Sequence, residues 1–273
     1  MTESNQVLSA ADPGREIEES WFRLRRVFSL LPGAQVRREG PLRCIVVGPG
    51  PPGGNCVFGS GEPGELTPET LDRVLGLYSR PGWSVDWRFG PVRRPEDLDR
   101  ILRERGFVRH NEMTGMALDL TGADWGDFEP VPDQGQRIER VFDQAGLKDL
   151  IGLFGRSIGA GPGWAELTQQ AHGLVDFGPG GEHAHFAARR GGELIGCASL
   201  EISGPVGGLF FIGVAEGFRG RGLGRALTRT VLDLAKARGC RLAVLQASDL
   251  GRRVYRRLGF GEYGRLFCYR REF

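Results

Sequence analysis

Apolar positions along the chain change period several times, and each change marks an element. Trp21, Leu24, Phe28 and Leu31 recur at helical spacing, after which residues 41–48 (PLRCIVVG) form the short apolar run of a buried strand. The tract GPGPPGGN at 48–55 predicts a turn. Residues 67–80 begin on a capping-type Thr67 and predict a helix, followed by a strand over 83–89, a helix over 95–107 and a strand over 114–120. Periodicity then lapses over 122–136 into Gly, Pro and Asp, the residues of a linker. Beyond it come a strand at 136–141, helices over 146–159 and 163–175, and three apolar strands (184–190, 193–203 and 207–216) whose spacing predicts a meander. Leu223, Leu227, Val231 and Leu234 then share one helical face, with Arg225, Arg229, Asp233 and Lys236 elsewhere. A strand over 241–248, a helix over 249–260 and a strand over 265–271 close the chain.

The two halves repeat this order. RILRERGF at 100–107 aligns with RVYRRLGF at 253–260, each after a strand and a short acidic helix start. In both halves a helix, a strand, a second helix and a further strand follow one another, which predicts a duplicated fold. The expected divisions are a loosely ordered start (1–15), a first unit (16–121), a linker (122–135) and a second unit (136–273). Two differences separate the repeats: the first lacks a glycine-rich turn, and Leu102 stands in the place of Tyr255.

Composition narrows the function. A chain of 273 residues with a formal charge of +2 accommodates two modest domains and argues against bulk nucleic-acid binding. No apolar run is long enough to span a bilayer and the first residues lack an export pattern, so a cytoplasmic protein without membrane contact is expected. Cys44, Cys56, Cys197, Cys240 and Cys268 are scattered and odd in number, which favours core thiols over disulfides or zinc. His183 and His185 alternate on one strand face with no nearby Cys or acidic ligand, so no metal is expected.

The most specific signal is VAEGFRGRGLGRAL, from Val214 to Leu227, with Gly220, Gly222 and Gly224 between an apolar strand and an amphipathic helix. That setting is wrong for a low-complexity hinge or RNA-binding tract. A dinucleotide fingerprint fails as well, because Gly224 falls one position early and too little chain follows Asp249 for a doubly wound sheet. A plain strand-to-helix turn needs one glycine, not three. What fits is a phosphate cradle, in which successive amides and the positive end of the next helix face one anion, with Arg219 and Arg221 adding charge.

Here the sequence resembles the acyl-coenzyme A binding motif of the GNAT superfamily of N-acetyltransferases: Arg219, Gly222 and Gly224 fill its signature, and Val214 sits at its strand valine. Glu216 replaces a common proline, while Ser248 and Gly251 stand where the family often has Asn and Ala, ahead of Tyr255, Gly259 and Phe260. The resemblance implies an α+β fold of two GNAT-like units, each a mostly antiparallel sheet flanked by helices, with only the second catalytic and the first shaping the acceptor pocket or serving as scaffold. It implies acetyl-CoA as co-substrate, bound through the backbone of Ile212, Gly213 and Val214, through the amides of Arg219, Gly220, Arg221, Gly222, Leu223 and Gly224, and at Ser248. An amide near Ile212 or Gly213 would serve the oxyanion. Tyr255 would protonate the leaving thiolate, and Glu201 or Glu216 would take the proton of the amine. Packing remains the competing role for Tyr255, beside an apolar face of Leu250, Val254 and Leu258, and a solvent-facing carboxylate remains open for Glu201. Cys197 lacks an adjacent base and is expected to be a buried thiol, not a nucleophile. Arg252, Arg253, Arg256 and Arg257 should be mostly solvated, with one or two near nucleotide phosphates. The expected acceptor is a small-molecule or peptide amine, in a monomer or homodimer without nucleic-acid partners. A non-catalytic acyl-CoA binding or scaffolding module is the alternative, and an arginine-mediated RNA binder a third.

Overall fold

The computed structural model describes residues 12–59, 66–90, 97–122 and 135–273; the expected linker, apart from its end residues 122 and 135, and most of the expected loose start lie outside them. Within the described part, Asp12 caps a helix α1 (Pro13–Arg26) by accepting from the amides of Gly14 and Arg15, so residues 13–15 are helical, not loosely ordered. A 3₁₀ turn (Val27–Leu30) leads to β1 (Gln35–Glu39), β2 (Leu42–Val46), β3 (Cys56–Phe58), α2 (Pro68–Gly76), β4 (Ser84–Phe89), α3 (Leu98–Glu104) and β5 (Val108–Asp119). The second half runs β6 (Gln136–Val141), α4 (Gln144–Ser157), α5 (Trp164–His172), β7 (His183–Arg190), β8 (Glu193–Ser203), β9 (Val206–Val214), a 3₁₀ turn (Glu216–Phe218), α6 (Leu223–Ala237), β10 (Leu242–Ala247), α7 (Asp249–Arg257) and β11 (Gly261–Glu272). The expected meander is present as β7, β8 and β9.

All strands join one mixed sheet in the order β1-β2-β3-β4-β11-β5-β10-β9-β8-β7-β6. Its centre is an exchange: β11, the last strand of the chain, pairs with β4 of the first half, and β5, the last strand of the first half, pairs with β10 of the second. β5 and β11 also pair antiparallel with each other. The repeat is local too. Phe107 N donates to Leu102 O and Phe260 N to Tyr255 O, both at 3.0 Å, and each pair straddles a left-handed glycine, Gly106 or Gly259.

Side chains explain the layering. The expected stripe of α6 buries Leu223, Leu227 and Val231 against β8 and β9, and a side chain at Gly196 would come within 2.8 Å of Leu227, so glycine permits this close approach. Helices α4 and α5 cover the opposite face of β7–β9 through Leu147, Leu150, Ile151 and Trp164. Helix α1 of the first half lies against β5, β9 and β10.

Candidate active site at the splayed strands

β9 and β10 run parallel and pair only from Val206↔Leu242 to Leu209↔Leu245. β9 then continues for five residues with no partner on that side, so the strands splay. At the divergence the β8–β9 register shifts between Cys197↔Gly213 and Ser199↔Phe210, and Phe211 adopts φ of 50°, a left-handed conformation that is strained for an aromatic residue. The bulge sets which edge of the backbone is free. Ala215 N donates to Ile195 O, and by the alternation of an antiparallel ladder the Gly213 backbone also faces β8, leaving that of Ile212 and Val214 on the open side.

The glycine loop follows at once. Gly220 and Gly222 have φ of 74° and 82°, and Gly224 lies within 3.7 Å of Val214 at its missing side chain. Gly222 is the N-cap of α6 and no side chain caps the helix. Among the described residues the amides of Gly220, Arg221 and Gly222 donate to no protein acceptor. The Arg219 amide, expected to join this set, instead donates to Glu216 O, and its Nε binds Val214 O at 3.2 Å, so Arg219 fastens the loop to the strand end. Leu223 is buried in the core beneath the loop, and the Arg221 guanidinium lies 5.7 Å from the Phe218 ring.

Tyr255 is buried on α7, edge-on to Phe260 at 5.8 Å. Burial pushes its pKa up, which keeps the phenol protonated as a proton donor requires. Leu250 was expected to share its apolar face but is 82% exposed; the packing comes from Val254, Leu258 and Phe260. Ser248 caps α7, its Oγ accepting from Gly251 N at 3.2 Å, so its oxygen already has a role in the fold. Arg252 and Arg256 reach Glu262 at 3.2 and 3.6 Å on the surface, as expected of solvated arginines. Cys197 is buried as expected: its Sγ donates to Phe211 O at 3.1 Å inside the bulge, and burial raises the thiol to about 12, which removes it as a nucleophile.

Glu201 is not solvent-facing. It sits on β8 opposite Gly208 with its side chain 8% exposed, and Oε1 accepts from Arg23 Nε of α1 at 3.0 Å. Burial raises its pKa to about 7 against the opposing charge of Arg23, while Oε2 and an outer nitrogen of Arg23 are buried without partners. Around it lies a set of polar side chains that sequence reasoning missed. His183 pairs across the ladder with Glu201; His172 of α5 packs edge-on to His183 at 6.4 Å and to Phe211 at 5.0 Å, and both of its ring nitrogens are buried and unbonded. Burial drives the His172 pKa well below its ordinary value, so the ring is neutral. Ser20 Oγ and Thr168 Oγ1 are also orphaned. The one available signal was a histidine four residues after Thr168 on the apolar face of α5.

Elsewhere Asp86, His110 and Cys268 bring three potential ligand atoms within 4.8 Å. Arg88 holds Asp86 at 2.7 Å and Arg270 holds it at 2.7 and 3.1 Å, so a cation would compete with two guanidinium groups for one carboxylate. Burial opposes ionisation of Asp86, but the His110 hydrogen bond and the two arginines keep its pKa well below the carboxylate range.

Comparison with known proteins agrees with this geometry. Residues 160–260 match the model of the acetyltransferase (GNAT) family. A mycothiol acetyltransferase of Streptomyces scabiei is 28% identical over 195 residues, covering 68% of this chain and 61% of that protein's length. Among solved structures, a GCN5-related N-acetyltransferase from Kribbella flavida superposes with a TM-score of 0.66 at 17% identity over 93% of both chains. A tandem GNAT protein from the clavulanic acid biosynthesis pathway does so with a TM-score of 0.58 at 17% identity, over 94% of this chain and 95% of its own. The segment 160–260, with the splayed strand and the glycine loop, matches the GNAT acetyltransferase family, and the chain shares its fold with a tandem GNAT protein.

Proposed function

We propose that this chain is an acetyl-CoA-dependent N-acetyltransferase of the cytoplasm, with one site, in the second unit (136–273), and with the first unit (16–121) walling the acceptor pocket. The observation that carries the reading is the junction of the strand edge left unpaired at the Ile212 backbone and the Val214 amide with the uncapped start of α6. Acetyl-CoA supplies an activated thioester and a pyrophosphate. The amides of Gly220, Arg221 and Gly222, with the dipole of α6, suit the pyrophosphate, and Arg221 adds charge. The backbone of Ile212 and Val214 suits an amide-bearing arm laid along the strand, and the Ile212 amide the oxyanion, since that of Gly213 is turned to β8. Glu201, poised near neutrality, takes the proton of the attacking amine. Tyr255 returns a proton to the leaving thiolate, an anion whose ordinary pKa is about 8.5. The acceptor is a small molecule or a peptide amine, and the name of the Streptomyces relative favours a small molecule.

Calorimetric titration with acetyl-CoA tests this. Binding should weaken about a hundredfold or more in the double variant Gly222→Asp, Gly224→Asp, because each aspartate sets a negative charge where the pyrophosphate would lie. No binding by the native chain, or equal binding by the variant, sinks the proposal. Binding without transfer to any of a broad amine panel would favour the non-catalytic alternative.

A further inference from the structure

Arg25 of α1 is a cation without an anion. Among the described residues its guanidinium makes no hydrogen bond or ion pair, its Nε is sealed from solvent, and it lies 5.5 Å from the centre of the Phe28 ring. The carboxylate that influences it, Asp86, is already held by Arg88 and Arg270, and Glu201 is held by Arg23. Four arginines therefore share two carboxylates in this part of the molecule, and Arg88 Nε is likewise buried and unbonded. A guanidinium whose Nε is shut off from water and unbonded is costly to hold unless an anion completes it.

A second unused donor lies beside it. The side-chain position of Gly53, in the turn after β2, is 3.9 Å from Arg25 Nη1 and 3.7 Å from Trp164 Nε1. The indole N–H makes no hydrogen bond among the described residues, and Gly53 itself has φ of 99°, so a larger residue is disfavoured there. Arg25 Nη1 of α1 and the Cδ1–Nε1 edge of the Trp164 indole of α5 thus border one point that the chain leaves without a side chain. The point is connected to the bulge: Trp164 packs on Phe154 at 6.2 Å and Phe154 on Phe211 at 5.2 Å, while Phe28 reaches Phe211 through His172.

We propose that Arg25 and the Trp164 indole, meeting at Gly53, hold a carboxylate or phosphate group of the acceptor, so that the chain acts on an anionic amine. The assignment of the acceptor rests on the transferase reading above; the anion site does not. A guanidinium fork with an adjacent N–H matches the planar oxygens of a carboxylate or two oxygens of a phosphate, and the ligand would supply the acceptor atoms that both donors lack.

The test follows the Trp164 indole N–H resonance of the full ¹⁵N-labelled chain, assigned with Trp164→Phe, during separate titrations with sodium acetate and inorganic phosphate. A saturable shift is expected with at least one anion, and which of them saturates first separates the two chemistries. Arg25→Gln should weaken the response about tenfold or more. Arg25→Lys, which keeps the charge and loses the fork, should fall between them and serves if the glutamine variant does not fold. No saturable shift with either anion, or equal affinity in the Arg25 variants, overturns the site. With acetyl-CoA present, 4-aminobutanoate against butylamine and phosphoethanolamine against ethanolamine form matched acceptors. The anionic member of at least one pair should have the lower KM, and the gap should collapse in Arg25→Gln. Equal KM values within both pairs overturn the acceptor assignment. Anion binding without acetyl-CoA binding would sink the transferase reading and leave the anion site standing; the converse result would do the reverse.

Discussion

Glu201→Gln isolates the energetic cost of the buried carboxyl. Burial lifts this group to about 7 in the fold although Arg23 opposes the shift, whereas an unperturbed glutamate titrates near 4.5. The folded chain therefore binds the proton more tightly than the unfolded chain. Below the unfolded value both states are protonated and nothing is lost; as pH rises through the folded value, the fold must hold a desolvated carboxylate and stability falls. Integrating between these two values from pH 5 to pH 8 gives a loss of about 2 to 3 kcal/mol. Urea unfolding of the native chain and of Glu201→Gln at both pH values measures it, because titrations elsewhere are shared and cancel in the difference. The native chain should lose ground to the variant between pH 5 and pH 8, by a midpoint change of roughly 1 M urea. A gap independent of pH would refute the reasoning. A gap of opposite sign would mean that Arg23, 3.0 Å away, outweighs desolvation and holds the group ionised.

Three further outcomes are expected. Tyr255→Phe should lower turnover about a hundredfold with acetyl-CoA affinity nearly intact, and equal turnover would return the residue to packing. His172, neutral and unbonded in the fold, gains a proton only on unfolding in acid, so stability falls as pH drops below about 6.5. His172→Phe should flatten that fall in thermal melts between pH 7 and pH 5, and an unchanged slope would exclude the ring as its source. Gly90→Ala would set a methyl group 2.3 Å from Arg265 O and 2.7 Å from Leu266 Cα at φ of 136°, costing about 3 kcal/mol or more in chemical unfolding. A near-neutral result would contradict the seating of β11 beside β4.

Local pattern carried the elements that bury one face. The stripe of α6 and the meander were legible because side-chain period and turn chemistry are properties of neighbouring residues. β1 (Gln35–Glu39) was missed because it is an exposed edge with no apolar alternation, and β3 (Cys56–Phe58) because three residues beside a glycine-proline turn show no period. The first residues of β5 are exposed, and those after Val108 are polar, so the strand looked shorter than its twelve residues. The exchange of β5 and β11 was illegible in principle, since either strand's alternation fits either neighbour. The same limit hid the surroundings of Glu201: its partner Arg23 is 178 positions away, and only the fold brings the two together.

The strand exchange ties the first half into the second, and the described start of α2 differs from that of α6 in what it offers an anion. Thr67 Oγ1 accepts from Thr70 N at 3.2 Å and caps α2, Pro68 removes one amide, and Glu69 places a carboxylate in the first turn where an anion would otherwise bind. The parallel pairing of β3 with β4 runs to the end of β3 at Phe58↔Arg88, and Gly59 N still donates to Arg88 O beyond it, so no strand edge is freed. Leu102 takes the place of the tyrosine. Each of these differences, within the described residues, disfavours a pyrophosphate at the start of α2. Yet β10, the floor of the proposed site, pairs on its far side with β5, and α1 supplies the arginines that meet Glu201 and face Trp164. Losing the first unit would turn β10 into an open edge and strip the proposed acceptor pocket of its charged wall. On the proposed function, substitutions in α1 should therefore affect acceptor use more than acetyl-CoA affinity.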